Sequence, residues 1–243
     1  MKKLVTLILA VAMLFCASAL AETTLRLASN HTEDFVTSLA CIRFADLVKE
    51  KTNGEIVVEC YFNAVLGEEK ATIEQAQFGG IDLVRVNISP LAEFVPEYNS
   101  ILFPYIFANR EHYWKVMDSD EVGKALLQSQ KMLDNNLYGL CFYDNGTRNF
   151  FFSKNEVHTP ADLKGLAVRV QESALMLGMV RAMGGNPTAM AASELYSALQ
   201  TGVIDGFEDT ACSTITSGTY ETTDFAVDDV VLYTYSYKLD GAK

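Results

Sequence analysis

The chain has 243 residues, 49% of them hydrophobic, with 19 basic against 31 acidic side chains and a net charge of −12. So acidic a surface repels nucleic acid and anionic lipid, which excludes both as partners and makes any local positive charge informative. The length suits two modest α/β lobes of roughly 100 residues each rather than one large sheet.

Lys2 and Lys3 precede an apolar run from Leu4 to Phe15, and Ala19-Leu20-Ala21 follows as a small-residue cleavage pattern. Residues 1–21 therefore read as a secretory signal peptide, too short for a comfortable membrane span and flanked as export signals are. Cleavage is expected between Ala21 and Glu22, because the bulky Phe15 before Cys16 argues against lipidation. The mature chain loses two lysines and no acid, which takes the net charge from −12 to −14. No later stretch is apolar for long enough to cross a bilayer. The expected location is periplasmic or extracytoplasmic, and the expected product is soluble.

From Thr24 to Ser29 the residues alternate like a strand. Phe35 to Lys51 carries Phe35, Leu39, Ile42, Ala45 and Val48 at helical spacing and stops at Asn53-Gly54, a good C-terminal cap. Glu55–Tyr61 reads as a β-branched strand, Glu68–Phe78 as a helix and Ile81–Val86 as another strand. This β-α-β-α-β order predicts a mainly parallel sheet with helices on its faces. The chain turns irregular around Pro90, Pro96 and Pro104, then returns to helical patterns at Glu111–Met117 and Glu121–Leu133.

The second half repeats the recipe. An apolar run from Leu137 to Tyr143 predicts a strand, Asn149–Ser153 another, and Thr159-Pro160 a capped helix start. Val168–Val170 reads as a strand and Ala174–Met183 as a helix ending at Gly184-Gly185. Ser193 is a candidate N-cap for a helix through Gln200, closed by Gly202, with a strand from Val203 to Glu208. Gln77-Phe-Gly-Gly-Ile-Asp and Gln200-Thr-Gly-Val-Ile-Asp match in register at two helix-to-strand turns, a weak internal echo of a duplicated plan.

Two arginines carry most of the functional signal. Arg148 sits in Asn145-Gly-Thr-Arg-Asn-Phe, and Arg169 in Leu166-Ala-Val-Arg-Val, flanked by valines. A guanidinium cannot be neutralised, so one inside an apolar strand needs a carboxylate or phosphate facing it. On the residues alone, pairing with one of the chain's own many acids is the stronger reading for each. Cys41, Cys60, Cys141 and Cys212 fit neither a zinc site nor a redox motif; a Cys41–Cys60 bridge is open, and buried free cysteines are the favoured reading. His31, His112 and His158 show no metal spacing, although His31 adjoins Asn30. The run Phe150-Phe151-Phe152 reads as core and cleft lining, since a base-stacking role needs basic neighbours that are missing.

The text from Asp162-Leu-Lys-Gly-Leu-Ala-Val-Arg-Val through Gly185-Asn-Pro-Thr-Ala-Met to Ser193-Glu-Leu-Tyr and Asp205-Gly-Phe-Glu-Asp resembles the extracytoplasmic solute-binding proteins of TRAP transporters, of the dicarboxylate and sialic-acid type. The resemblance runs from about Leu25 to the end of the chain. It implies an α/β, two-lobed periplasmic-binding-protein fold with a ligand cleft between the lobes and mainly parallel sheets flanked by helices. The lobes would comprise residues 22–145 with 234–243, and residues 146–233.

The resemblance also reverses the odds on the arginines. It implies that Arg169 pairs bidentately with a ligand carboxylate, for which its planar fork is suited, and that Arg148 supports it. It further points to Asn30, Glu69, Asn87 and Asp209 as cleft residues. By composition alone the two asparagines could as well be turn-formers, and Glu69 a first-turn acid complementing a helix dipole. Asp209 stands where the family commonly has Asn, Ala192 where an aromatic is frequent and Gln171 where Pro is usual.

The implied function is capture of a small carboxylate-bearing organic acid by hinge closure and delivery to the membrane permease subunits of a TRAP transporter, as a monomer without cofactor or metal. A secreted ligand sensor is the alternative. A hydrolytic enzyme is disfavoured, because the chain has no Gly-x-Ser-x-Gly elbow, no His-Glu-x-x-His site and no phosphate-cradling loop. Chains of this type continue beyond the position of Lys243, so the resemblance implies a truncation that removes further crossing segments and a bracing helix.

Overall fold

A computed structural model describes residues 22–227; the expected leader and the expected return of residues 234–243 to the first lobe lie outside the described residues. The first half forms β1 (Thr23–Ser29), α1 (Val36–Lys51), β2 (Ile56–Tyr61), α2 (Glu69–Gln77) and β3 (Leu83–Arg85). These strands make a parallel sheet in the order β2-β1-β3, with Leu25 opposite Val58 and Leu27 opposite Leu83. α1 ends as expected. Asn53 and Gly54 take φ of 52° and 82°, and the Gly54 N–H returns to the Lys49 carbonyl at 2.8 Å. Short helices follow: α3 (Ile88–Leu91), α4 (Arg110–Met117), α5 (Ala125–Leu127) and α6 (Gln130–Asp134). They pack around buried Ile73, Val95, Tyr98, Phe107 and Met117.

The second half forms β4 (Arg148–Phe152), β5 (Ala167–Val170), α7 (Ala174–Ala182), β6 (Asn186–Ala189), α8 (Leu195–Gln200), β7 (Gly206–Thr210), α9 (Ala211–Thr216) and β8 (Phe225–Ala226). Its sheet has the order β6-β5-β7-β4-β8. β5 runs parallel to β6 and β7, whereas β4 is antiparallel to β7 and β8. Alternation along the strands gives the sheet two apolar faces. Phe150, Phe152, Val168 and Val170 pack under Met176 and Val180 of α7, while Phe151 and Phe207 pack under Leu195 and Leu199 of α8. The triple phenylalanine is therefore core, as expected, but it does not line the cavity described below. The Ala174 N–H of the second half donates to Glu93 Oε1 of the first at 2.8 Å.

Several elements differ from expectation, each for a local reason. The run Leu137–Tyr143 forms no strand, because no neighbouring strand offers it a ladder. The expected helix Glu121–Leu133 breaks into a π-helical turn at Asp120–Lys124, α5 and α6. Gly123 lies so close to the Met117 carbonyl that no side chain would fit, and Ser129 restarts the helix by accepting the Met132 N–H. Ser193 falls inside a 3-10 turn, Ala192–Glu194, instead of capping α8. β3 spans only Leu83–Arg85 of the expected Ile81–Val86. β7 begins at Gly206, later than expected, so Asp209 lies within it and does not follow it; Arg148 likewise opens β4. β6 was not anticipated, and its Pro187 is tolerated because the strand lies at the sheet edge. Cys41, Cys60, Cys141 and Cys212 are free, and burial pushes the Cys41 thiol up to about 11.

Candidate functional site

Arg85 closes β3 and is the hub of the first lobe's polar cluster. Its guanidinium is buried and donates to Asn30 Oδ1 at 3.0 Å, Asn87 Oδ1 at 3.4 Å and Ser29 Oγ at 3.4 Å, with Glu69 Oε1 at 3.5 Å. Three residues expected in the cleft, Asn30, Glu69 and Asn87, thus meet on an arginine that sequence reading overlooked. The signal was available. An arginine inside the apolar run Ile81–Val86 is the same anomaly that singled out Arg169.

Glu69 begins α2 and is fixed from β3. It accepts the Asn87 N–H at 2.7 Å and the Asn87 side-chain amide at 3.3 Å. Burial pushes the Glu69 carboxyl up to about 7, against the pull of these two bonds, while nearby Glu68 raises it and Arg148 lowers it. Burial also pushes the Arg85 guanidinium down to about 9, and Asp209 opposes that shift from the second lobe.

The second cluster sits where β4 starts and β7 ends. Arg148 Nε pairs with Glu208 Oε2, its Nη2 donates to the Glu208 carbonyl at 2.8 Å, and its Nη1 lies 3.2 Å from Asp209 Oδ1. Burial alone would lower the Arg148 pKa, but Glu208 and Asp209 together hold it above the ordinary arginine value. Asp209 is otherwise engaged by its own lobe, accepting the Thr210 N–H at 2.7 Å and the Ser213 hydroxyl at 3.0 Å. Asp209 is thus paired with Arg148. Glu208, 1% exposed, was not singled out from sequence; it also accepts the Gln171 N–H at 3.0 Å, a bond that a proline at that position could not make.

Arg169 is different. It is 3% exposed on β5, and its Nε donates to the Met190 carbonyl at 3.0 Å. Among the described residues its terminal nitrogens have no acceptor and no carboxylate forms an ion pair with it. Register places Arg169 opposite Phe207 and Arg148 opposite Thr210, so the two arginines leave opposite faces of the sheet.

A cavity of about 490 Å³ is lined from the first half by residues that include Arg85, Asn87 and Asn145, and from the second by Arg148, Gln171 and Thr210. Asn145 Oδ1 is buried there without a hydrogen-bond partner. Asn30, Glu69, Arg169 and Asp209 do not line it. The first two contact Arg85, which lines it, and Asp209 contacts Arg148, which also lines it. His31 stacks on Phe35 with centroids 4.0 Å apart, and its Nε2 has no partner.

Residues 27–236 match the family model described as bacterial extracellular solute-binding protein, family 7. A solute-binding protein of Chromohalobacter salexigens is 36% identical over 195 residues, covering 80% of this chain and 57% of the relative. The chain is similar to a TRAP periplasmic solute-binding protein of Sulfitobacter sp. NAS-14.1 solved with β-D-galacturonate (TM-score 0.82, 31% identity, 86% of this chain and 69% of that one). It is also similar to one from Polaromonas sp. JS666 bound to D-erythronate (TM-score 0.82, 32% identity, 87% and 69%). The chain spans little more than half the length of the curated relative. Its fold is the α/β periplasmic-binding-protein fold of those structures, and the chain belongs to family 7 of the bacterial extracellular solute-binding proteins.

Proposed function

We propose that this chain is the extracytoplasmic receptor component of a TRAP-type transporter and that its guest is a sugar acid. The observation that carries the reading is Arg169, a buried guanidinium whose terminal nitrogens have no acceptor among the described residues. A fork held in that state awaits a planar anion, and a carboxylate satisfies it with two parallel bonds. Neutral polar residues among those that line the cavity, Asn87, Asn145, Gln171 and Thr210, suit the hydroxyls of such a guest. The galacturonate and erythronate in the similar structures support the same class.

Closure of the two lobes would exclude water around the carboxylate and strengthen its pairing with Arg169. The closed form would then be read by membrane permease subunits, and the protein would work outside the cytoplasm after export. Nothing in this sequence of events needs a bond to be broken in the guest.

Titration calorimetry of the chain with a panel of hexuronic and aldonic acids tests the reading. A binder is expected, and Arg169→Ala should lose about 2–5 kcal/mol, which takes a micromolar complex to the millimolar range or beyond. Undiminished affinity in that variant would remove the assignment.

A further inference from the structure

The nine-residue helix α7 starts without a cap from its own half. Its N-cap residue, Ser173, makes no side-chain bond to the first turn, and that turn carries no acid. Ser173 is 2% exposed and its Oγ has no partner. The first N–H groups of a helix need acceptors from outside it, and their partial positive charge favours an anion. For α7 the anion comes from the other half of the molecule: Glu93 Oε1 accepts the Ala174 N–H at 2.8 Å, across 81 positions of sequence.

Glu93 stands on a firm base. It follows α3, and its neighbours Ala92 and Val95 are buried in the core of the first half. The Val95 N–H returns to the Leu91 carbonyl at 3.0 Å and fixes the turn that carries Glu93. Further along, Leu102 packs against that core and also against the cluster that includes Met176 and Val180 of α7. A polar and an apolar contact thus connect the same two regions. Glu93 and Ala174 are both exposed, so water replaces each partner when they part, and the bond can be made and released at little cost. Only Gln171, Glu172 and Ser173 separate α7 from β5, the strand that carries Arg169.

We propose that Glu93 is a latch between the two halves. By capping a helix of the second half from the first, its carboxylate favours the arrangement in which the halves meet, and its release lets them part. The latch acts on the guest-free chain and does not depend on which acid the protein binds.

Hydrogen exchange read by mass spectrometry on the guest-free chain tests this. In Glu93→Ala, segments 90–102 and 172–180 should both exchange about three- to tenfold faster, the effect of losing a helix cap, while the two sheets keep their protection. Combining Glu93→Ala with Ala174→Glu returns an acid to the first turn of α7 from its own half. Segment 172–180 should then regain its protection, and segment 90–102 should not. Acceleration confined to 172–180 in the single variant, or recovery of both segments in the double variant, would make Glu93 a cap and nothing more. Acceleration throughout the chain would make it a support of the fold, and no change at all would mean that the contact is not kept in solution. Each of these results overturns the proposal.

Discussion

Asn87 donates its backbone N–H to Glu69 Oε1 at 2.7 Å, so the residue leaving β3 is tied to the first residue of α2. The bond positions the carboxylate against Arg85, but it does so inside the protein, where the ionised form is disfavoured. The Glu69 pKa stands at about 7 against 4.5 for the free group. A carboxyl raised in the folded state keeps its proton where the unfolded chain has already released it. Its contribution is therefore fully present below about pH 4.5 and is lost as pH rises through about 7. The span corresponds to roughly 3 kcal/mol. Urea denaturation of the chain and of Glu69→Gln across this window should show the difference. Wild-type stability falls with pH relative to the variant, and parallel curves would contradict the assignment.

Arg85 supplies the other half of that pair. Replacing it by Met removes the cation facing Glu69 and leaves the Asn30 and Asn87 carbonyl oxygens without their donor. Breaking a buried pair from one side costs ~3–5 kcal/mol when the remaining charge cannot escape. Here it can escape by protonation, so the loss should be larger at pH 8 than at pH 6. Chemical denaturation of Arg85→Met at the two pH values checks this; a pH-independent loss would mean that Glu69 does not respond to Arg85.

How far these relations were legible follows from particular residues. The caps and turns were readable because they are local. Asn53-Gly54 ends α1, and Gly79 and Gly202 take nearly equal φ of 72° and 73° after the matching Gln77 and Gln200 helix ends. Leu137–Tyr143 has the composition of a strand, but whether a strand forms depends on a partner that composition does not name. The family resemblance gave Arg148, Asn30, Glu69 and Asn87 as cleft residues, and the structure gathers them into two polar clusters. It could not give the pairings. That Asp209 and Glu208 share Arg148, while Arg169 has no acid, depends on strand register and on the face each side chain takes.

Gly206 shows why β7 carries a glycine at its start. A methyl group there would meet the Phe152 ring and the Phe151 carbonyl across the antiparallel pair, both of them buried and neither able to give way. Gly206→Ala should therefore cost about 1–3 kcal/mol, the usual range for overpacking a tight core. Because β7 delivers Glu208 and Asp209, the displaced strand should also loosen their hold on Arg148. Thermal melting reads the first effect. A variant with an unchanged midpoint would show that the close approach of β4 and β7 is not fixed.

The two arginines of the second lobe should separate stability from binding. Arg148 has two carboxylates and a backbone carbonyl, so Arg148→Ala leaves Glu208 and Asp209 buried without a cation. The expected loss is ~3–5 kcal/mol of folding stability. Arg169 has only the Met190 carbonyl, and among the described residues its terminal nitrogens have no acceptor. Removing such a charge relieves a desolvation penalty that no internal partner offsets. Arg169→Ala should therefore leave the guest-free chain as stable as before, or more so, while abolishing the stabilisation that an added sugar acid gives. Melting curves of both variants, with and without the acid, measure all four quantities. A loss of stability in Arg169→Ala equal to that in Arg148→Ala would make Arg169 a structural cation and take away its place in recognition.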